Sequence, residues 1–358
     1  MRAAGGRAAA PCRTLPEKAG PASLKSTDSL VAKKTAAPSA ALEVWLAPHG
    51  PAGPPPPRLP LAFEPLLYLR PAHLALAPAE PGFSAYLEDH AAGCTLAQLH
   101  LSVDSATGQA RSPAQAPFGA VQLAPGLAPA AVHHLLDAAE AELRKRGVSR
   151  LAMRGYPLAY DPAGAATLAE VLRRRGYRVA LAEQNYYLDP ARAYETHLHP
   201  SERRRLHKCR RAGLAVEQEP AYLLPQAYEF IQQCRQERGK TLSLPLERVR
   251  ALFKTFPREH FLFSVREPDG EWAALTVAIQ VSATVLYNFY PASPLRYNSL
   301  SPVVLLNEGL HAFARASGLT VLDLGTSTLD SKPNASLLRF KRHLGAVAGL
   351  RLSWERKW

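Results

Sequence analysis

The sequence predicts a duplicated α/β fold, in which two tandem domains of helices and mixed sheet follow a disordered tail. Three observations predict it. A glycine-bounded strand, a helix and a closing glycine occur twice: residues 147–155, with a helix opened by Asp161-Pro162 and stopped by Gly176, then 318–325, with a helix opened by Asn334 and stopped by Gly345. A helical pattern precedes each copy (130–146 and 302–317) and a strand follows each (177–181 and 346–352). Runs of short strands come before both units, so each half has the same order of elements. The resulting division is a tail over 1–41, a first domain over 42–195 and a second over 196–358.

Taken in order, residues 1–41 are rich in Ala, Pro, Ser, Lys and Arg, with few large apolar side chains, which predicts disorder. A first strand is expected at 42–46, a stiff proline-rich loop at 51–60, and strands at 65–69, 83–88, 96–103 and 118–123, with a turn-rich stretch at 104–117. After the first unit, residues 189–199 read as a connector. Pro200 then opens a basic helix over 201–212, ended by Gly213. Two helices follow (225–238 and 245–256), then strands at 260–266, 272–281 and 285–290. Ser301-Pro302 reads as an N-cap and first-turn pair for the next helix.

With 358 residues, 47% hydrophobic content and 20% charge, the chain is globular in composition and long enough for two cores. Its net charge of +13 and pI near 9.7 favour anionic partners such as nucleic acid, nucleotide-linked substrates or acidic lipid. Cys12, Cys94, Cys209 and Cys234 are scattered, which argues for a reducing, cytoplasmic setting and against a disulfide framework or structural zinc site. His133-His134 and His197-x-His199 read as ordinary structural or surface histidines, and no metal-ligand array is expected. No run of 18 apolar residues exists, so no membrane span is expected.

Position 341 is the most informative. Leu337, Phe340, Lys341 and Leu344 fall at i, i+3, i+4 and i+7, placing a lysine on an otherwise apolar helix face. Aligning the two closing glycines sets Leu168 against Leu337 and Leu172 against Lys341. The second copy thus has an ammonium where the first has a leucine. A desolvated lysine interacts strongly with developing negative charge, or acts as a base if its pKa falls; a lysine that snorkels to the helix edge gives the same pattern.

In arrangement, residues 60–358 resemble the Fem-type proteins, the tandem GNAT-fold aminoacyltransferases and their acetyltransferase-like relatives. The residues that carry the resemblance are Leu286-Tyr287-x-Phe289, the Ser-Pro-opened helix, the run from Leu322 through Asp323 to Ser327, and Leu337-x-x-Phe340-Lys341-x-x-Leu344-Gly345. The basic stretch at 202–213 is similar to the element that opens that family's second half, and Tyr156-Pro157-x-x-Tyr160 to part of its first. The resemblance implies transfer of an acyl or aminoacyl group to a primary amine, without metal or covalent intermediate, and places Lys341, beside Phe340, close to the reacting carbonyl.

Such aminolysis needs a deprotonated amine, a reacting geometry, and positive charge where the carbonyl oxygen turns negative. Lys341 is the candidate for that charge. Asp323, at the end of a buried strand, either orients the acceptor amine or a tyrosine, or accepts hydrogen bonds from the loop after Gly325. Tyr287 is a candidate acid or a packing residue, with alternation sending Asn288 and Tyr290 to the opposite face. Further candidates for substrate contact are Phe340, Tyr290, Thr326, Ser327, Asn334, Tyr156 and Tyr160.

The loop over 291–301 has no glycine, unlike the phosphate-cradling turn of acetyl-CoA enzymes. Ser301 at the helix start, with Arg296 nearby, remains a candidate anion site. Arg203, Arg204, Arg205, Lys208, Arg210 and Arg211 can neutralise RNA phosphates or form a solvated basic face. No tightly bound cofactor is expected. The glycine-free loop and the positive charge favour aminoacyl-tRNA over acyl-CoA as donor. The competing reading is a non-catalytic binder of RNA or another anionic polymer through the basic helix.

Overall fold

The computed structural model describes residues 41–77, 80–329 and 332–358. The predicted tail lies almost entirely outside the described residues. The first half contains β1 (Leu42–Pro48), a 3-10 turn (Leu67–Leu69), α1 (Pro71–Leu74), β2 (Gly82–Asp89), β3 (Cys94–Asp104), β4 (Gln109–Ser112), β5 (Gln122–Leu123), α2 (Pro129–Lys145), β6 (Arg150–Arg154), α3 (Pro162–Arg174) and β7 (Arg178–Leu188). Next come α4 (Tyr194–His197), α5 (Pro200–Arg211), β8 (Ala215–Glu219), α6 (Leu224–Gln236), α7 (Leu246–Thr255), β9 (His260–Arg266), β10 (Trp272–Ser282) and β11 (Val285–Asn288). The chain closes with α8 (Val303–Ala316), β12 (Val321–Thr326), a small hairpin of β13 (Thr328–Leu329) and β14 (Lys332–Pro333), α9 (Ala335–His343) and β15 (Val347–Lys357).

The repeated helices start and stop as their residues dictate. The Asp161 side chain accepts the Gly164 amide at 3.0 Å at the start of α3, and Asn334 accepts the Leu337 amide at 3.1 Å at the start of α9. Gly176 and Gly345 follow with φ of 80° and 77°, the left-handed conformation that ends a helix at little cost only for glycine.

One mixed sheet runs in the order β1-β2-β3-β4-β6-β15-β7-β12-β11-β10-β9-β8, with β5 paired to β3 off this path. The order is symmetric about the antiparallel pair β7 and β15. On one side the parallel strands β4 and β6 lead to β15; on the other the parallel strands β11 and β12 lead to β7. The last strand of each half therefore completes the sheet of the other. Trp354 of β15 is buried in the first half's core with Leu151, Met153, Leu172 and Tyr177, beneath α2 and α3. A second core lies under α8 and contains Leu286, Leu322, Leu324 and Leu344. A third, on the opposite face of the second half's strands, packs α6 and α7 against Val285, Val321 and Tyr290.

Several expectations are corrected. Of residues 65–69, Leu67–Leu69 form a 3-10 turn and none pairs as a strand; Leu67, Tyr68 and Leu69 are all buried and leave no alternation to form a strand face. Only Gln122–Leu123 of the strand expected at 118–123 pairs as a strand. Strands β4 and β8 lie in stretches read as turn-rich or left unassigned, since both are short and polar. β7 and β15 run on to 11 residues each because each pairs along its length with the other and with a further strand of the opposite half, β12 for β7 and β6 for β15. At α8 the N-cap is Pro302, with no side-chain cap; Ser301 has φ of 56° and its amide donates to the Tyr297 carbonyl.

Strand exchange makes a testable prediction. Trp354→Ala lowers stability by about 3–5 kcal/mol in urea unfolding and reduces hydrogen-exchange protection in α2 and α3 of the opposite half; unchanged protection there contradicts the exchange.

Candidate active site around Gly325

The adjacent strands β11, β12 and β7 place Tyr287, Asp323 and Tyr187 side by side in register. Alternation turns Val285, Tyr287, Val321 and Asp323 away from α8 and sends Leu286, Leu322 and Leu324 beneath it. Asp323 is 2% exposed. One carboxylate oxygen accepts from the Tyr160 hydroxyl at 2.6 Å; the other accepts from Asn185 Nδ2 at 2.8 Å and the Gly325 amide at 2.7 Å. Asp323 thus accepts both from a tyrosine hydroxyl and from the Gly325 amide, two residues along its own strand. Burial raises its pKa, opposed by these hydrogen bonds and by the charge of Lys341.

Lys341 is 5% exposed and is the buried side chain of α9. Its Nζ donates to the Gly325 carbonyl at 2.8 Å and the Thr326 carbonyl at 2.9 Å. An ammonium has three donors, so one N–H is not accounted for by these bonds. Burial lowers its pKa to about 8, with the Asp323 charge pulling upward. The snorkelling alternative is therefore overturned. The expected apolar face is corrected too: Leu344 is fully buried, but Leu337 is 37% exposed and Phe340 packs against the core under α8 rather than into the site. Leu172, the counterpart in the first copy, is fully buried, so both repeats bury this position.

The Tyr287 ring lies against Gly325, where an added Cβ would come within 3.2 Å of it, and Gly325 itself has φ of 75°. The positive φ favours glycine there, and the ring leaves a Cβ only a tight fit. The Tyr287 hydroxyl makes no hydrogen bond among the described residues, and burial together with the Asp323 charge raises its pKa. Tyr290 was expected on the opposite face. Instead β11 ends at Asn288, the amides of Phe289 and Tyr290 both donate to the Val277 carbonyl, and the irregularity returns Tyr290 to Tyr287's side. Its hydroxyl is tied to Ser243 Oγ at 2.6 Å and the Leu244 amide at 3.1 Å. Asn288 stays on the α8 side, bonded to Thr276 and Asn307.

Of the remaining candidates, Thr326 contributes its carbonyl, and Ser327 has a buried hydroxyl without a hydrogen-bond partner. Asn334 is occupied as the cap of α9. Tyr160 is in the site, held edge-on to Phe118, whereas Tyr156 is buried in the neighbouring core with its hydroxyl unpartnered. Arg296 is spent on Glu271 at 3.1 Å and on the Tyr297 ring, and Ser301 makes no side-chain cap, so the proposed anion site at α8 is not assembled. On α5, Arg205 pairs with Glu202, Arg210 with Glu195 and Glu308, and Arg203 donates to the Leu198 carbonyl. Arg204, Lys208 and Arg211 are exposed without side-chain partners among the described residues, so of six expected free charges four lack an ion pair and three are wholly unengaged.

Sequence reasoning missed Asn185, Tyr68 and Arg235. Tyr68 is buried, its hydroxyl has no partner, and its pKa is raised by burial and by the charges of Tyr287 and Asp323. Arg235 has a buried, unpartnered Nε and reaches only the Pro291 carbonyl, at 3.5 Å, while the Tyr287 and Tyr290 oxygens lie close enough to bear on its charge. Its signal was available: Arg235 continues the buried row Ala227 and Ile231 at i+4 spacing, the same sign that marked Lys341.

No protein-family model and no curated protein sequence matches the chain. Solved structures do. FemX superposes with a TM-score of 0.59 at 11% identity, covering 77% of this chain and 88% of that one. L-PGS from Bacillus licheniformis gives 0.51 at 12% identity, covering 80% and 87%. The chain carries the Fem-like tandem GNAT fold. A tandem GNAT protein from the clavulanic acid biosynthesis pathway gives a lower TM-score of 0.48 at 14% identity, covering 88% and 98%. Identities this low establish the Fem-like fold alone, so the chemistry has to be argued from the residues around Gly325.

The lowered pKa of Lys341 makes stability depend on pH. Between about 8 and the unfolded value of 10.5 the unfolded chain binds more protons, so stability rises with pH across that window. Below 8 the burial penalty is present in full, on the order of 3 kcal/mol. Urea unfolding from pH 7.5 to 10.5 is expected to show this rise above the background trend, and Lys341→Met is expected to remove it.

Proposed function

We infer that the protein is an N-acyltransferase, moving an acyl or aminoacyl group from an activated donor to a primary amine over the β11–β12 junction. The observation that carries this reading is a buried ammonium, Lys341, bonded only to backbone carbonyls and set beside the Asp323–Tyr160 pair and the unengaged Tyr287 hydroxyl. A cation kept out of water without an ion-pair partner is costly as a purely structural device, but it is suited to stabilise an oxyanion that forms during reaction. On this reading 42–195 and 196–358 are the two repeats, and the second carries the chemistry.

The roles follow from the hydrogen-bond pattern. Asp323 fixes Tyr160 and the Gly325 loop. The amine nitrogen attacks the donor carbonyl carbon, and the oxygen that gains charge is stabilised by Lys341. The bond to the leaving oxygen or sulfur then breaks. Tyr287 gives its proton to the leaving atom and recovers one from the amine nitrogen, so protons balance over the cycle. A raised tyrosine pKa keeps that proton in place until a strongly basic leaving oxygen develops.

Aminoacyl-tRNA remains the favoured donor, with acyl-CoA second. The glycine-free loop supports the first, and Arg204, Lys208 and Arg211 offer phosphate contacts. Three such contacts give a log-log salt slope of roughly −2 to −3 for RNA binding.

Incubation with acetyl-CoA, longer acyl-CoAs and charged tRNA, scored by thermal protection and then by transfer to model amines, tests the donor. With the productive donor, Lys341→Met is expected to lower turnover about 100- to 1,000-fold. It should also abolish the fall in rate expected as pH rises through about 8. Full activity in Lys341→Met contradicts the role given to Lys341, whereas RNA binding with no transfer from any of these donors favours the non-catalytic RNA-binding alternative.

A further inference from the structure

A partly open cavity of about 50 Å³ is bounded by the chain around Gly53, by α1, by β3, by residues 112–116 and by Arg248 of α7. It shares no lining residue with the Lys341 centre. Three lining side chains carry buried polar atoms with no partner: Arg248 Nη1, His73 Nδ1 and His100 Nε2. His73 and His100 are each 4% exposed.

The hydrogen bonds constrain the proton positions. His49 Nε2 lies 3.1 Å from Ser84 Oγ, which lies 2.7 Å from His100 Nδ1. If His49 donates to Ser84 and Ser84 to His100 Nδ1, the proton of neutral His100 sits on Nε2, the unpartnered atom. The Leu69 carbonyl lies near the His100 ring, but Nε2 makes no hydrogen bond. Burial lowers the pKa of both His73 and His100 to about 3, so neither adds charge. Arg248 is the lining cation, and its half-buried side chain has no hydrogen bond or ion pair among the described residues. Glu80, at the rim, is engaged by Gln115 at 3.4 Å and lies 3.9 Å from Arg111.

A guanidinium nitrogen and, with the proton so placed, an imidazole N–H are buried without partners at one small space, and buried donors of this kind are normally met by an acceptor. Water can fill a space of this size, but it does not neutralise the guanidinium charge. A carboxylate matches the planar arginine fork, and Leu69, Leu74 and Leu101 offer apolar wall. A phosphate dianion fits less well, since it is larger and would face Glu80 at the rim.

We propose that this cavity is a second binding site, for a small monocarboxylate or the carboxylate end of a longer molecule. Arg248 holds the carboxylate, His100 donates a neutral hydrogen bond, and the leucines cover a short alkyl portion. The site is independent of the transfer reaction, and so is its test. Propionate is titrated against the full chain with thermal unfolding and ligand-observed NMR as readouts, beside chloride and inorganic phosphate at matched ionic strength. Propionate is expected to raise the melting temperature saturably, with its methyl group showing Overhauser contacts to Leu74 and Leu101. Arg248→Gln is expected to weaken the apparent affinity at least tenfold, and Arg248→Lys by less. Propionate acting no differently from chloride, phosphate binding as well as propionate, or methyl contacts elsewhere overturns the proposal. Because the methyl contacts are read on the wild-type protein, the outcome does not depend on the variants folding.

Discussion

Gly325 is held at both ends by charge: its amide donates to Asp323 and its carbonyl accepts from Lys341. The two ionised side chains do not touch. They are joined through the glycine's own backbone, so each compensates the other partly through a fixed polar group. The left-handed conformation of Gly325 and the Tyr287 ring against it disfavour a side chain at this point. The rest of the centre depends on that arrangement, because it fixes where β12 ends, where Lys341 enters and which hydroxyl of Tyr287 or Tyr160 is left unengaged.

The arrangement draws on both halves of the chain. Tyr160 and Asn185, which bond Asp323, come from the first half; Lys341, Asp323 and Tyr287 come from the second. Exchange of β7 and β15 brings them together: β7 lies beside β12, which sets Asn185 within reach of Asp323, and β15 carries the chain's end into the first half's core. A duplicated unit that kept its own last strand would have no route for Asn185 to that carboxylate.

Much of this was legible in the sequence. Glycine punctuation, the Asp161 and Asn334 caps and helical periodicity are local signals, and the helices they mark begin and end within a residue or two of the expected places. Lys341 and Asp323 stood out because an ionisable residue interrupts an otherwise apolar pattern. What was not legible depends on partners distant in sequence. The strand exchange leaves no local mark, and the pairing of Tyr160 with Asp323 spans 163 residues. Tyr290 was misplaced because one backbone irregularity after Asn288 reverses the alternation. The charges of α5 were overcounted because Glu195 and Glu308, which pair with Arg210, come from outside that helix.

The central claim is that Lys341 keeps a buried, weakly compensated ammonium at the junction of the two halves. Direct titration of its side chain by NMR, with ¹³C and ¹⁵N labels read at Cε and Nζ, tests it without reference to any substrate. A midpoint near 8, with slow exchange of the Nζ protons below it, is the predicted result. A midpoint at the ordinary lysine value of about 10.4, with rapidly exchanging protons, would place the amine in water and contradict the account.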